Sequence, residues 1–232
     1  MKERIIIATT KSWNVANALK LRDDYSDEYE ILLITNNADL NYKTISEFNP
    51  KYMFFPHWSW IIPEEIYNNY ECVVFHITDL PYGRGGSPLQ NLIVRNIYNT
   101  KISALKVEKD LDAGKIYLKK DYYIGMGSAE EIFINASSII FSEMIPHILD
   151  NNPVPQEQNG DPVFFKRRKP EESDMVQMDF SSLQEIYDFI RMLDAEGYPK
   201  SFIKLGKYKI EFSEVHEKSD EIVGKFEVIN EK

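Results

Sequence analysis

His76 ends the apolar run Cys72-Val-Val-Phe-His, and Asp112 stands 36 residues further on in the turn-rich Asp110-Leu-Asp-Ala-Gly114. An imidazole beside a carboxylate has a fixed tautomer and heightened basicity, which a general base near neutral pH requires. Parallel α/β sheets take ligands outside the carboxyl ends of their strands, and His76 falls at such an end. A lone histidine there is also commonly structural, and Asp before Ala-Gly is ordinary turn chemistry, so spacing alone leaves both readings open. Other chemistries are poorly served. There is no Gly-x-Ser-x-Gly elbow, and the single cysteine, Cys72, reads as a small buried thiol. Four histidines, none paired at helical spacing, lead us to expect no metal site. Gly83-Arg-Gly-Gly86 lacks both the Lys-Ser/Thr of a P-loop and the spacing of a dinucleotide fingerprint.

The elements that must position this pair follow from periodicity. Arg4–Thr9, Tyr29–Asn37, Tyr52–His57 and Cys72–His76 read as buried strands alternating with helices. They predict an α/β fold: a Rossmann-like, mostly parallel sheet with helices on both faces. Ser87 is expected as the N-cap of a helix with Pro88 at its first position, and Ser128 with Glu131 forms a capping box for a long helix to Leu149. The Pro-, Asn- and Gln-rich stretch 150–162 reads as a boundary. It divides a domain of residues 1–150 from a linker and small α+β C-terminal extension, 151–232, with one helix and three strands.

Composition bounds the class. The chain has 232 residues, is 43% hydrophobic and has a formal net charge of −10. No run of about 18 apolar residues suggests a membrane span, and the apolar run near the N-terminus is too short for a signal-peptide core, so no membrane and a cytoplasmic location are expected. The negative charge argues against a nucleic-acid partner, which needs clustered Lys and Arg. Lys166-Arg-Arg-Lys169 has enough charge to hold one diphosphate or carboxylate. The Tyr- and Phe-rich C-terminal strands point toward a homodimer.

Three segments together resemble the N10-formyltetrahydrofolate-dependent formyltransferases. They are His76-Ile-Thr-Asp-Leu-Pro81, Tyr82-Gly-Arg-Gly85 and Leu111-Asp-Ala-Gly114. The resemblance extends through Phe164–Leu193, similar to the start of a C-terminal extension in that family. It implies attack of a primary amine on the formyl group carried by the folate co-substrate. It makes His76 and Asp112 catalytic, with His76 stabilising the tetrahedral intermediate and moving its proton while Asp112 orients the ring and favours its protonated form. It places Trp60, Ile61, Ile62, Val107, Lys109 and Leu111 against the folate. Within the family the wording is most similar to nucleotide-sugar N-formyltransferases, which implies a nucleotide-linked amino sugar as acceptor, such as a UDP-linked 4-amino-4,6-dideoxy sugar of a pseudaminic-type pathway. Lys11, Trp13, Asn14, Thr78, Arg84, Gln90, Arg167 and Arg168 would hold that substrate. An aminoacyl group on tRNA or on a peptidyl carrier protein is the alternative acceptor, and a catalytically impaired folate-binding module the alternative role. Val74 stands where the family usually has an oxyanion-donating asparagine.

Overall fold

A computed structural model describes residues 2–231. In chain order the elements are β1 (Glu3–Ala8), α1 (Ser12–Asp24), β2 (Tyr29–Ile34), α2 (Tyr42–Phe48), β3 (Tyr52–Phe55), α3 (Glu64–Tyr67), β4 (Glu71–His76) and β5 (Tyr82–Gly85). They continue with α4 (Pro88–Ile93), β6 (Asn99–Lys106), β7 (Ile116–Tyr123), α5 (Ala129–Ile139), α6 (Ile145–Asn151) and β8 (Val163–Phe165). The last are α7 (Leu183–Arg191), β9 (Phe202–Leu205), β10 (Tyr208–Lys218) and β11 (Glu221–Asn230).

The chain forms two compact units. The first comprises the residues up to Arg84, Lys101–Tyr122 and Ile134–Val163. Its sheet has the order β2-β1-β3-β4-β6-β7. The four strands of the N-terminal part pair in parallel, and β6 lies antiparallel to β4 with Ser103 opposite His76 and Lys106 opposite Val73. Ile5, Ile6, Ile7 and Ala8 are all fully buried, as expected of a central parallel strand covered on both faces. Ile6, Met53, Phe55, Ile66 and Cys72 share one core cluster. There the Cys72 Sγ lies 4.0 Å from Met53 Sδ, and burial pushes its thiol pKa up to about 12. The 150–162 segment belongs to this unit: Ile116 N–H donates to Gln156 O at 2.7 Å, and Gln156 N–H returns a bond to Ile116 O at 2.8 Å.

The long helix expected from Ser128 is present, with a π-turn at Ile140–Met144 between α5 and α6. Ser128 and Glu131 form the capping box, Glu131 N–H donating to Ser128 Oγ at 3.2 Å and Ser128 N–H to Glu131 Oε2 at 2.8 Å. Ala129–Asn151 is long and apolar enough to cross a membrane, but 56% of its most apolar window is buried inside the protein, which makes it a core helix.

The second unit comprises Gly85–Thr100, Tyr123–Phe133 and the chain from Phe164 onward. Ser87 corrects one expectation. Ser87 does stand at the N-cap position ahead of Pro88, yet it adopts φ 52° and its side chain makes no capping hydrogen bond. A Cβ on the preceding Gly86 would lie 2.5 Å from Arg167 Cβ, so the backbones run close here, and the Ser87 hydroxyl accepts from Arg168 N–H at 3.0 Å instead. β9, β10 and β11 form an antiparallel sheet with a register shift between Ser213 and His216. On α7, N-capped by Ser182, the Arg191 side chain is 1% exposed. Its Nε donates to Asp188 Oδ1 at 2.6 Å and its Nη1 to the carbonyls of Ile124 and Gly127 at 3.0 Å, while Tyr98 OH donates to Asp188 Oδ2 at 2.7 Å.

Truncating one partner of such a buried pair leaves the other charge uncompensated in the interior. Arg191→Ala is expected to cost about 3–5 kcal/mol, read from urea unfolding monitored by circular dichroism. A loss below about 1 kcal/mol, the usual worth of an exposed pair, would mean that water reaches Asp188.

Candidate active site

His76 is the last residue of β4 and only 8% of its surface is exposed. Its Nε2 lies 2.7 Å from Gly83 O, and since a carbonyl only accepts, Nε2 carries a hydrogen. Its Nδ1 faces Asp112 Oδ2 at 3.7 Å, with the two side chains 10% and 11% exposed. Both ring nitrogens therefore face oxygen acceptors, one neutral and one anionic.

Asp112 reaches this place by an indirect route. Because β6 runs antiparallel to β4, it ends beside Val73, and Val107 N–H then donates to Cys72 O at 2.8 Å. The loop 107–115 has to climb back along β4 toward His76. Two features make that possible. A Cβ on Gly114 would sit 1.9 Å from Lys106 O, so only glycine lets the loop fold onto β6. Asp112 itself holds φ 52°, a strained conformation for a residue with a side chain. Both carbonyls of this turn are tied by Gln158, whose Nε2 donates to Asp112 O and Gly114 O at 2.8 Å each. Sequence reasoning missed Gln158, because a glutamine in a Pro- and Asn-rich stretch reads as linker.

The expected folate-facing residues divide. Ile61 is 91%, Leu111 68% and Trp60 45% exposed, apolar groups with surface to offer a flat heterocycle, and Lys109 is exposed beside Leu111. Ile62 is 6% exposed within the core cluster and Val107 packs against it, so these two face the interior rather than the surface. Val74 has the same side-chain parity as His76 along β4 and also packs toward that cluster.

Of the expected acceptor-binding residues, those in the first unit are mostly committed. Asn14 is 1% exposed and donates to Thr9 Oγ1 at 2.9 Å and Pro56 O at 3.2 Å, which fastens α1 to the end of β3. Thr78 is fully buried, its carbonyl accepting from Ser103 Oγ at 2.7 Å and its own hydroxyl sealed from the surface. Arg84 spends Nε and Nη2 on Gln158 Oε1, at 3.1 and 2.8 Å. Lys11 Nζ lies 5.5 Å from the Trp13 ring centre, and the half-buried His57 meets the same indole edge-on at 6.1 Å. In the second unit, Gln90 is 2% exposed and donates to Met192 O at 2.9 Å, and the Arg168 guanidinium covers Phe189 at 5.5 Å. Arg167 remains exposed. Among the described residues, no group of three or more His, Cys, Asp and Glu is placed to hold a metal ion.

His57 adds a pH-dependent term. Burial first, and the charge of Lys11 second, lower its pKa from 6.5 to about 4. Between those values the unfolded chain holds a proton that the folded chain does not, so stability is full above pH 6.5 and falls as pH drops toward 4. The loss is at most about 3 kcal/mol. His57→Asn, which tolerates the φ of 52° at this position, should flatten the dependence of urea-unfolding stability on pH in that window. An unchanged slope would assign it to other groups.

Comparison with known proteins adds to this geometry. Residues 170–229 match the family described as methionyl-tRNA formyltransferase, C-terminal domain. The methionyl-tRNA formyltransferase of Rickettsia felis is 26% identical over 156 residues, covering 64% of this chain and 52% of the relative. That of a Sulfurihydrogenibium species is 27% identical over 178 residues, covering 74% and 56%. The chain thus spans about half the length of these curated relatives. The solved structure of a methionyl-tRNA formyltransferase from Clostridium thermocellum is 54% identical, with a TM-score of 0.95 over 98% of this chain and 99% of that one. A sugar N-formyltransferase from a Shewanella species shares the fold at 14% identity, with a TM-score of 0.71 over 96% of each chain.

These matches overturn the nucleotide-sugar acceptor and the exclusion of a nucleic-acid partner. The C. thermocellum protein named for tRNA formylation is almost the same size as this chain. The charge argument fails because a net charge of −10 sums over the whole surface and does not report the field at one site. The likeness to the Shewanella sugar N-formyltransferase, at 14% identity, shows the fold alone.

Proposed function

The chain belongs to the formyltransferase family, and from that premise we propose that it moves the formyl group of N10-formyltetrahydrofolate to the amine of an aminoacyl group on tRNA. The observation that carries this reading is the 54% identity, along nearly the whole of both chains, to the C. thermocellum protein named for that reaction. Cytoplasmic location, where charged tRNA is found, belongs to the same reading.

The folate supplies an activated formyl group. In this reading the exposed Trp60, Ile61 and Leu111 offer it apolar surface, while Ile62 and Val107 face the interior. Asp112 sits opposite Nδ1. With the ring hydrogen moved to that nitrogen, Nε2 would give up its contact with Gly83 O, take a proton from the attacking amine and return it to N10 of the departing tetrahydrofolate. Val74 has no hydrogen to donate and the Thr78 hydroxyl is sealed. His76 N–H is then the side-chain donor at the end of β4 for the negative charge that develops on the formyl oxygen. On the first unit, Lys11 and Trp13 are candidates to meet the acceptor, while Asn14, Thr78 and Arg84 serve that unit's own structure. On the second unit, taken by itself, Arg167 is the exposed candidate, and Gln90 and Arg168 are committed within it.

Incubation with N10-formyltetrahydrofolate and methionyl-tRNA should give formylmethionyl-tRNA, with His76→Ala slower by about 100- to 10,000-fold at unchanged unfolding midpoint. Folded protein that binds the folate but formylates no aminoacyl-tRNA would overturn the reading in favour of a binding module. Transfer only to a carrier-bound aminoacyl thioester would replace the acceptor.

A further inference from the structure

We propose that Gln158 is a positioning residue that sets the distance between Asp112 and His76. The inference rests on the proposed formyl transfer for its kinetic consequence, though not for its geometry. Gln158 makes four side-chain hydrogen bonds, all within the first unit. Its Nε2 donates both hydrogens, to Asp112 O and Gly114 O, and its Oε1 accepts twice, from Arg84 Nε and Nη2. An amide has two donor hydrogens and two acceptor lone pairs, so every capacity is used. The orientation is unambiguous too: turning the amide over would set its oxygen against two carbonyls and its NH2 against a guanidinium.

What Gln158 joins gives it a role beyond loop stability. His76 has two partners on separate segments. One is the carbonyl of Gly83, the neighbour of Arg84. The other is the carboxylate of Asp112, whose own carbonyl Gln158 holds. The one amide therefore ties the segment that accepts from Nε2 to the turn that faces Nδ1. The turn needs such a tie, because Asp112 is held at φ 52° and its loop turns back on itself after β6. Released, it would relax toward an ordinary turn and withdraw the carboxylate from the ring. Gln158 is half-buried and has no place in the bond-making itself.

The test uses two variants of the full chain. Gln158→Glu keeps an acceptor for Arg84 but has no hydrogens for the two carbonyls, and Gln158→Leu keeps neither. Both should lower kcat by about 10- to 100-fold, the scale of a misplaced catalytic group, with KM for methionyl-tRNA within about twofold. The His76 ring 15N signals should shift in both. Only four histidines are present, so the His76→Ala spectrum assigns them. Wild-type kcat and unmoved His76 signals in Gln158→Glu would overturn the proposal. So would a loss confined to Gln158→Leu, or a loss of kcat that merely follows a lowered unfolding midpoint. If the wild-type chain transfers no formyl group, the functional reading fails, and the ring signals alone still decide the role of Gln158.

Discussion

Each ring nitrogen of His76 faces an oxygen, and the two oxygens lie on segments that approach from different directions. Nε2 donates to a carbonyl at 2.7 Å and Nδ1 faces a carboxylate at 3.7 Å, so the ring is placed from both sides. Holding that arrangement is the constraint that much of the first unit serves. Strand β4 delivers the histidine to its end, the turn through Gly83 brings the carbonyl, and the loop after β6 brings the aspartate. The reversal of β6 relative to β4 is what makes the last of these demanding. A parallel strand would have ended at the required edge, whereas this one ends near the start of β4 and leaves the loop to cover the difference.

Much of this was legible in the residues. Apolar runs such as Arg4–Thr9 and Cys72–His76 are short, rich in β-branched and apolar residues and followed by turn signals, and both fall in strands of the sheet. The capping pairs Ser128 with Glu131 and Ser182 with the Glu185 amide also act as their spacing suggests. The pairing of His76 with Asp112 was an inference from position, and the two side chains do meet. What could not be read was the use of side chains whose types are common to linkers and surfaces. Asn14, Gln90 and Gln158 are committed to backbone carbonyls made neighbours only by the fold, from 42 to 102 residues away in sequence. Ser87 failed as a cap for a similar reason, since its hydroxyl answers to Arg168, 81 residues on.

The identity of the acceptor was illegible for a different reason. The chemistry of formyl transfer asks only for an amine, a proton carrier and a place for a developing negative charge, and those needs are the same for a sugar and for an aminoacyl ester. Whole-chain charge and length describe the surface and the size of a protein, and neither describes the few square ångströms where an acceptor is chosen. Under the proposed reading that choice would fall to a few individual side chains, and a lysine or an arginine among them would suit a phosphate from either source.

Cys72 has a consequence of another kind. Its thiol is buried against Met53 and held protonated far above neutral pH. A protonated, enclosed sulfur reacts slowly with alkylating reagents and oxidants. Cys72 should therefore react slowly with maleimides, and a cysteine introduced on the surface would react far faster. Spectroscopic labels could be placed on the loop 107–115 or on the exposed Arg167 segment without first removing a native residue from the core.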